Sequence, residues 1–509
     1  MKRVLSIIAA LGAASALSAQ EYLHINSHWY EDFIPVEQID SITYGEASHS
    51  HKLPAIMAAD PNISIFNEAL LLTHMCDSLL DVYDFGFVYE QDITQGIYWE
   101  YLASAMTKVR KGYTAFVETD QVYAAHGINN ISDLKAYAAK VYDEMYPEDA
   151  GITDPTDRRN SLNRFVSYHL LDRMGHKHNL TAARIHNEKA GRVDETYFRS
   201  TIDIADWYET MMPHSLLKCS SPLLSTGETV FINRRGLCDV VEVEGVEINN
   251  ASGMDYQGVA ENGYYHYIDG IIAYDKQTQQ VVLDEQIIVN NSTISPEFMN
   301  NDMRISSPYA MGSNIGEIYI PQGALKNMQF NNDQTRLFYL FDKNWNNVQT
   351  DEMLLMGPFD ITIKLPSVPA GTYELNLGYG TSSARHIVAM YLNEEFCDTL
   401  DQRIMPYSEE IGWVEDAQLG TPEAIAENDR LLFSHGYRKG LDYCYSYSGT
   451  QSMRDNVSSI RRIITSFTTD GKTDYYLRLK NINLHDDGSA QFHFDFLELC
   501  PTHLLNEYK

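Results

Sequence analysis

Two residues in one short run, His266 and Asp269 of "ENGYYHYIDGIIAYD" (Glu261 to Asp275), have the types that general acid–base chemistry uses. That chemistry needs the two side chains to meet. The run is aromatic and β-branched, opens on the turn pair Asn262-Gly263, and reads as a strand. Successive side chains of a strand point to opposite faces, so Tyr265, Tyr267 and Asp269 share one side and Tyr264, His266 and Ile268 the other. His266 and Asp269 therefore do not pair within this strand. The expected role of both is structural, as hydrogen-bonding groups that close a sheet.

Other residues invite similar tests. His169 lies in "DRRNSLNRFVSYHLLDRM", where Leu162, Phe165, Val166, His169 and Leu170 make one helical stripe. A core histidine is the plain reading, with Tyr168 and His169 kept as contact candidates. "SHSHK" and "GHKHN" hold the alternating pairs His49/His51 and His176/His178, without Cys, Asp or Glu at ligand spacing. No G-x-S-x-G, H-E-x-x-H or phosphate-loop pattern occurs, and no two carboxylates can be paired across a cleft from spacing alone. The sequence thus assigns no catalytic residue and no metal site. Aromatic residues near polar loops are the candidates for ligand contact: Trp345 in "DKNWNNVQ", Trp413 in "EIGWVEDA" and Tyr445 in "LDYCYSYSG". An aromatic face with polar neighbours suits a sugar, whose C–H bonds pack on the ring. No cofactor is assigned; calcium is the ion that the acids after Trp413 would suit.

These residues sit in a chain of 509 with 70 acidic and 38 basic side chains and a formal charge of -32. Such acidity excludes a phosphate-backbone partner, which needs basic patches. Cationic, metal and neutral sugar ligands stay open. Lys2 and Arg3, the apolar "VLSIIAALGAASAL" and the small Ser18 and Ala19 read as an export signal cleaved near Ala19, with no cysteine there for a lipid anchor. No later run is long and apolar enough to span a membrane. Six dispersed cysteines do not make a disulfide scaffold; Cys219 and Cys238 are the closest pair.

The positioning elements follow from periodicity. Helices are expected at "SIFNEALLLTHMCDSLL" with Ser64 as N-cap, at "SDLKAYAAKVYDEMY" from Ser132, and around His169. "YTAFVETDQVY" reads as a strand entering a turn. Met174 to Arg235 reads as a polar insertion with one helix-like piece, "DIADWYETMM", and residues 284–314 as a linker rich in Asn, Ser, Pro and Met. Beyond it, "FDITIKLP", "GTYELNLGYG", "RHIVAMYLN", "RIITSFT", "DYYLRLKNINL" and "FHFDFLEL" alternate like the strands of an antiparallel sandwich.

In the first half, "YTAFVETD", "FVSYHLL" and "NGYYHYIDGIIAYD" occur in the order of the strand, tyrosine–histidine and closing-strand motifs of the fasciclin (FAS1) domain, which the chain resembles over roughly residues 53–280. Glu118 departs from that pattern, where the family usually has proline. The second half resembles galactose-binding-like jelly rolls through "PFDITIKLPSVPAGTYELNLGY" and "FHFDFLELCP". The expected fold is an α+β FAS1-like domain followed by an all-β jelly-roll sandwich: signal 1–19, strand or tether 20–52, FAS1-like domain 53–283, linker 284–314, sandwich 315–509. The resemblance implies contacts around Tyr168 and His169. The expected function is that of an exported, non-enzymatic adhesion or ligand-binding protein, secreted, periplasmic or surface-associated, with a glycan or an extracellular protein as partner. A carbohydrate-active enzyme or its accessory module, acting through the second half, is the competing expectation.

Overall fold

The structure, a computed structural model, describes residues 22–26, 31–35, 51–89, 104–176, 179–181, 204–224, 227–249, 258–304, 317–341, 347–442, 444–446, 449–451, 453–456, 459–483 and 490–506. The expected signal segment, His49, His178 and Trp345 lie outside the described residues. The chain divides into two compact units, Met1–His49 and Ser50–Lys509. In the first, Tyr22–Asn26 and Glu31–Pro35 form an antiparallel hairpin with His24 opposite Phe33.

In the second unit, strand outweighs helix, and the sheets stack in sandwich-like fashion. The first sheet runs Leu170–Leu171, Tyr113–Glu118, Gly263–Ile268, Val246–Asn249, Phe231–Ile232, Leu216–Ser221, Ile204–Glu209, with Gly258–Ala260 also paired to Gly263–Ile268. All six residues of Tyr113–Glu118 are buried, and the strand pairs in parallel with Gly263–Ile268. A Cβ on Gly263 would stand 2.1 Å from the Tyr113 carbonyl oxygen, so only glycine permits that approach. Beside it, the Asn262 side chain accepts from Leu53 N at 3.0 Å and donates to Leu79 O at 2.8 Å and Asp81 O at 3.0 Å, tying sheet to helices.

Three helices cover this sheet: Ser64–Leu72, Ile131–Met145 and Ser161–Tyr168. Ser64 is the first helical residue rather than the cap. Asp120, remote in sequence, accepts from Ser64 N at 3.1 Å and Ile65 N at 3.0 Å and so fills the orphan donors itself. The helix stops at Thr73, His74 takes a left-handed turn at φ 54°, and Met75–Leu79 continues as a 3₁₀ helix. Ile131–Met145 starts one residue earlier than expected because Asn130 caps it, accepting from Ser132 N and Asp133 N at 2.9 and 3.1 Å.

Two sequence expectations are corrected here. "DIADWYETMM" is not helical: Ile204–Glu209 is a strand paired with Leu216–Ser221, which itself neighbours Phe231–Ile232. Its apolar residues do not alternate because both faces are covered, Tyr208 packing in one core and Trp207 in another. The presumed insertion thus supplies sheet strands. The stretch 284–304 does not behave as a linker. It carries the strand Ile287–Asn290 and the helices Asn291–Ile294 and Pro296–Asn300, largely buried.

Apart from three short two-stranded pairs, the remaining described strands form three five-stranded sheets around a shared core. One runs Ile287–Asn290, Phe496–Pro501, Gly371–Tyr379, Ile460–Thr469, Tyr437–Lys439. The second runs Ser104–Ala105, Glu317–Ile320, Arg336–Phe341, Asp351–Met356, Gln491–Phe494, and the third Met328–Phe330, Asp360–Lys364, Tyr476–Asn481, Ile387–Leu392, Glu395–Asp401. Leu375, Leu377, Leu497 and Leu499 share a core with Ile361, Ile363, Leu477 and Leu479. That core also takes in Trp207, Leu216 and Val282 from the earlier part of the chain.

A buried polar junction joins the same parts. The Arg304 guanidinium pairs with Asp206, donates to Tyr208 Oη at 2.7 Å and to Gln349 Oε1 at 3.0 Å, while Gln349 donates to Asp206 at 2.9 Å. Nearby, Asp351 accepts from Asn290 at 2.9 Å and from the Tyr339 hydroxyl at 2.8 Å. Among the described residues, no helix is long and apolar enough to cross a membrane.

Candidate functional site

The sheet containing Gly371–Tyr379 has one face in the core and a second face that carries charge. In Phe496–Pro501, Leu497 and Leu499 join the core, so Glu498 and Cys500 point the other way. The same alternation turns Glu374 and Asn376 outward between Tyr373, Leu375 and Leu377, Arg461 outward beside Ile460, and Arg438 outward beside Tyr437. Register then brings them together: Asn376 stands opposite Glu498, and Arg438 opposite Arg461.

The side chains close into bidentate pairs. Arg438 donates through Nε and Nη2 to Glu374 at 2.6 and 2.9 Å. Arg461 Nη1 reaches both oxygens of Glu498 at 2.8 and 2.9 Å, and its Nε donates to Lys439 O at 2.8 Å. Asn376 bridges the two carboxylates, donating to Glu374 at 2.9 Å and Glu498 at 3.1 Å. Glu374 and Glu498 are only 2% and 1% exposed, a depth at which a carboxylate needs such partners.

Arg454 forms the wall. It donates to Asp416 at 2.8 Å, to Asp429 at 2.9 and 3.0 Å and to Asp442 at 3.3 Å. The Lys439 ammonium donates to Val414 O at 2.6 Å and to Asp416. Burial works to raise the Asp416 carboxyl, but Arg454 and Lys439 outweigh it and hold the group below its ordinary value. Burial likewise opposes the charge on Arg438, and Glu374 more than offsets it, so that guanidinium is held above its usual range. Cys500, at the pocket edge, is pushed up to about 12, first by burial and then by the Glu498 charge, so it stays a thiol.

Of these groups, Arg438, Lys439, Arg454, Arg461, Asp429, Asp442, Glu498 and Cys500 line a pocket of about 170 Å³, with Ile288, Leu441 and Leu505 as its apolar part. Each carboxylate here is paired with a cation: Glu374, Glu498, Asp416, Asp429 and Asp442 against Arg438, Arg461, Lys439 and Arg454. Two donors remain for a ligand. Neither Arg438 Nη1 nor Arg461 Nη2 has a protein acceptor among the described residues. Phe433 is 46% exposed and its ring centre lies 5.1 Å from the Arg438 guanidinium.

The residues expected from sequence fall elsewhere. Trp413 is 8% exposed and packs in the sandwich core; its Nε1 donates to Arg454 O at 3.2 Å and its ring lies 5.8 Å from Lys439 Nζ. It stands behind the pocket wall and offers no open face, which corrects the expectation of a stacking ring. The Asp416 carboxylate is taken up by Lys439 and Arg454 and is not available as a calcium ligand. Tyr168 and His169 are fully buried, which removes the contact role expected for them. The Tyr168 hydroxyl donates to Leu216 O at 3.1 Å and accepts from Asn233 at 2.9 Å. Tyr445 lies on the short strand Cys444–Ser446, paired with Gly449–Gln451, and its side chain is outside the described part. Cys219 is a buried free thiol. Among the described residues, no three His, Cys, Asp or Glu side chains are grouped to hold a metal ion.

His266 and Asp269 behave as their alternation requires. His266 Nε2 lies 2.7 Å from Gly175 O, whereas Asp269 accepts from Glu247 N at 2.8 Å. The sequence reading missed Arg438, Arg461 and Glu498. The local signal of Glu498 is a single charged residue inside the otherwise apolar "FLELCP", whereas Arg438 and Arg461 each stand beside a second cation, Lys439 and Arg462.

No family model and no curated protein matches the chain. Among solved structures, a xanthan lyase from Paenibacillus aligns at 12% identity and TM-score 0.21, over 59% of this chain and 21% of that one. A family 35 carbohydrate-binding module from Clostridium thermocellum aligns at 10% identity and TM-score 0.14, over 34% of this chain and 87% of the module. A β-glucuronidase from Bacteroides uniformis aligns at 11% identity and TM-score 0.18, over 63% of this chain and 32% of the enzyme. The chain thus spans about a fifth of the lyase and a third of the glucuronidase, and likeness at these scores carries no argument about what the protein does.

Proposed function

We propose that this is an exported, non-enzymatic adhesion or ligand-binding protein whose sandwich half binds glycan. The observation that supports it is the pocket on the sheet face, polar, open and with every lining carboxylate ion-paired. A glycosidase needs one carboxyl held protonated and another free to attack or to activate water. Carboxylates already held by guanidinium and ammonium partners keep lone pairs suited to holding hydroxyls. The export signal read from residues 1–19 agrees with such a role.

The first half is proposed as a FAS1-like scaffold for protein contact. In support, the three motif segments meet at one point: Glu118 of the first lies 2.9 Å from His169 Nε2 of the second and accepts from Ile272 N of the third at 3.4 Å. The test is a screen of the full mature chain against a glycan array and a set of extracellular matrix proteins. Glycan binding lost in Asp442→Ala, at the half-exposed rim, is the expected result. Binding of no glycan would reject the reading.

A further inference from the structure

Resting on that reading, we infer that the pocket lined by Arg438, Arg461, Asp429 and Asp442 recognises one neutral sugar residue, either a monosaccharide or a chain end, and discriminates against sugar acids. Size is the first argument. Pockets that enclose drug-sized ligands run to about 300–1,000 Å³, and this one holds about 170 Å³. That suits a single ring rather than a chain laid along a groove.

Polarity is the second. The pocket presents donors at Arg438 Nη1 and Arg461 Nη2 and acceptors at the lone pairs of Asp429 and Asp442. A hydroxyl donates and accepts at once, so neighbouring sugar hydroxyls satisfy both kinds of group. A carboxylate or sulfate only accepts and would leave the aspartates facing a like charge. Charge is the third argument. Counting Glu374 and Asp416, which do not line the pocket but pair with its cations Arg438, Lys439 and Arg454, five carboxylates meet four cations here, in a chain of formal charge -32. An anionic ligand would add to that excess, and juxtaposed like charges are how a site rejects a wrong partner. Ile288, Leu441 and Leu505 supply the apolar surface for the ring's C–H bonds.

The test is calorimetry on the full mature chain with glucose, galactose, mannose, N-acetylglucosamine, their neutral oligosaccharides, and glucuronic, galacturonic and mannuronic acids. The expected outcome is that at least one neutral sugar binds and its matching sugar acid binds at least about tenfold more weakly, the low end of the discrimination that a small change in a ligand produces in a fitted pocket. Lengthening the neutral sugar should then add little. Asp442→Ala and Leu505→Trp should each weaken binding about tenfold or more with an unchanged melting temperature. A sugar acid bound as tightly as its neutral counterpart overturns the inference, and so does affinity that climbs with each added sugar unit. Glycan binding that neither variant disturbs puts the site elsewhere and leaves the broader reading standing. Binding of no glycan in this panel or on the array removes both.

Discussion

His169 Nε2 lies 2.9 Å from Glu118 Oε1, with both side chains wholly buried. The other ring nitrogen lies 2.7 Å from Phe165 O, which can only accept, so Nδ1 carries a hydrogen. One proton is then held between Nε2 and the carboxylate, whose second oxygen accepts from the Tyr123 hydroxyl at 2.9 Å. Breaking a buried pair by removing one partner typically costs about 3–5 kcal/mol. We expect Glu118→Ala and His169→Ala each to lose stability on that scale in urea titrations. A double mutant no worse than either single would show that the two residues act as a pair.

His266→Ala is expected to cost about 1–3 kcal/mol, the penalty of an unmade buried hydrogen bond. The ring bonds Gly175 O and stacks on Phe116 with centroids 6.0 Å apart. Glycan affinity should not move. Lost binding at an unchanged melting temperature would instead make His266 a contact residue.

Trp413→Ala should behave as a core truncation, costing about 3–5 kcal/mol. Its ring packs in the sandwich core behind Lys439. Trp413→Phe keeps most of that packing and is expected to recover much of the loss. Thermal melts of the two variants decide it; an unchanged melting temperature in Trp413→Ala would contradict the buried position.

Asp351 gives the fold a pH dependence with a definite sign. Burial pushes its carboxyl up to about 7 from an ordinary 3.8, against the hydrogen bonds from Tyr339 and Asn290. Between those values the folded state holds a proton that the unfolded state has released. Stability from this group is therefore complete below about pH 4 and declines until about pH 7. Asp351→Asn, which mimics the protonated acid, should flatten that decline and gain stability at pH 8. Urea titrations from pH 4 to 8 measure it, and parallel pH profiles for the two proteins would reject the assignment.

The strands Asp360–Lys364 and Gly371–Tyr379 were readable because one face is apolar and the alternation shows. Ile204–Glu209 was not, since Trp207 and Tyr208 are buried on opposite faces and their adjacency imitates a helix. Ile287–Asn290 was hidden by composition: Asn290 and Asn291 look like loop residues, yet both bond Asp351 in the interior. Alternation was enough to separate His266 from Asp269. The pocket was illegible because Glu374, Arg438, Arg461 and Glu498 come from four strands and meet only through register. Trp413 was misplaced for a related reason, as a glycine and two acids around a ring do not reveal what covers it.

The strand Ile204–Glu209, with Trp207 in one core and Tyr208 in the other, has a consequence for how this molecule comes apart. Neither half can melt without withdrawing a large aromatic ring from its neighbour, so denaturation of residues 50–509 should follow one cooperative transition. Cutting the chain between residues 284 and 314 would do more than separate two pieces. A cut after Asn290 takes Ile287–Asn290 away from Phe496–Pro501, baring the backbone of a strand that now has a partner, and bared strand edges recruit other chains. It also strips Arg304 of Asp206. Fragments made that way should aggregate, and a lost activity in either would report the cut rather than the site.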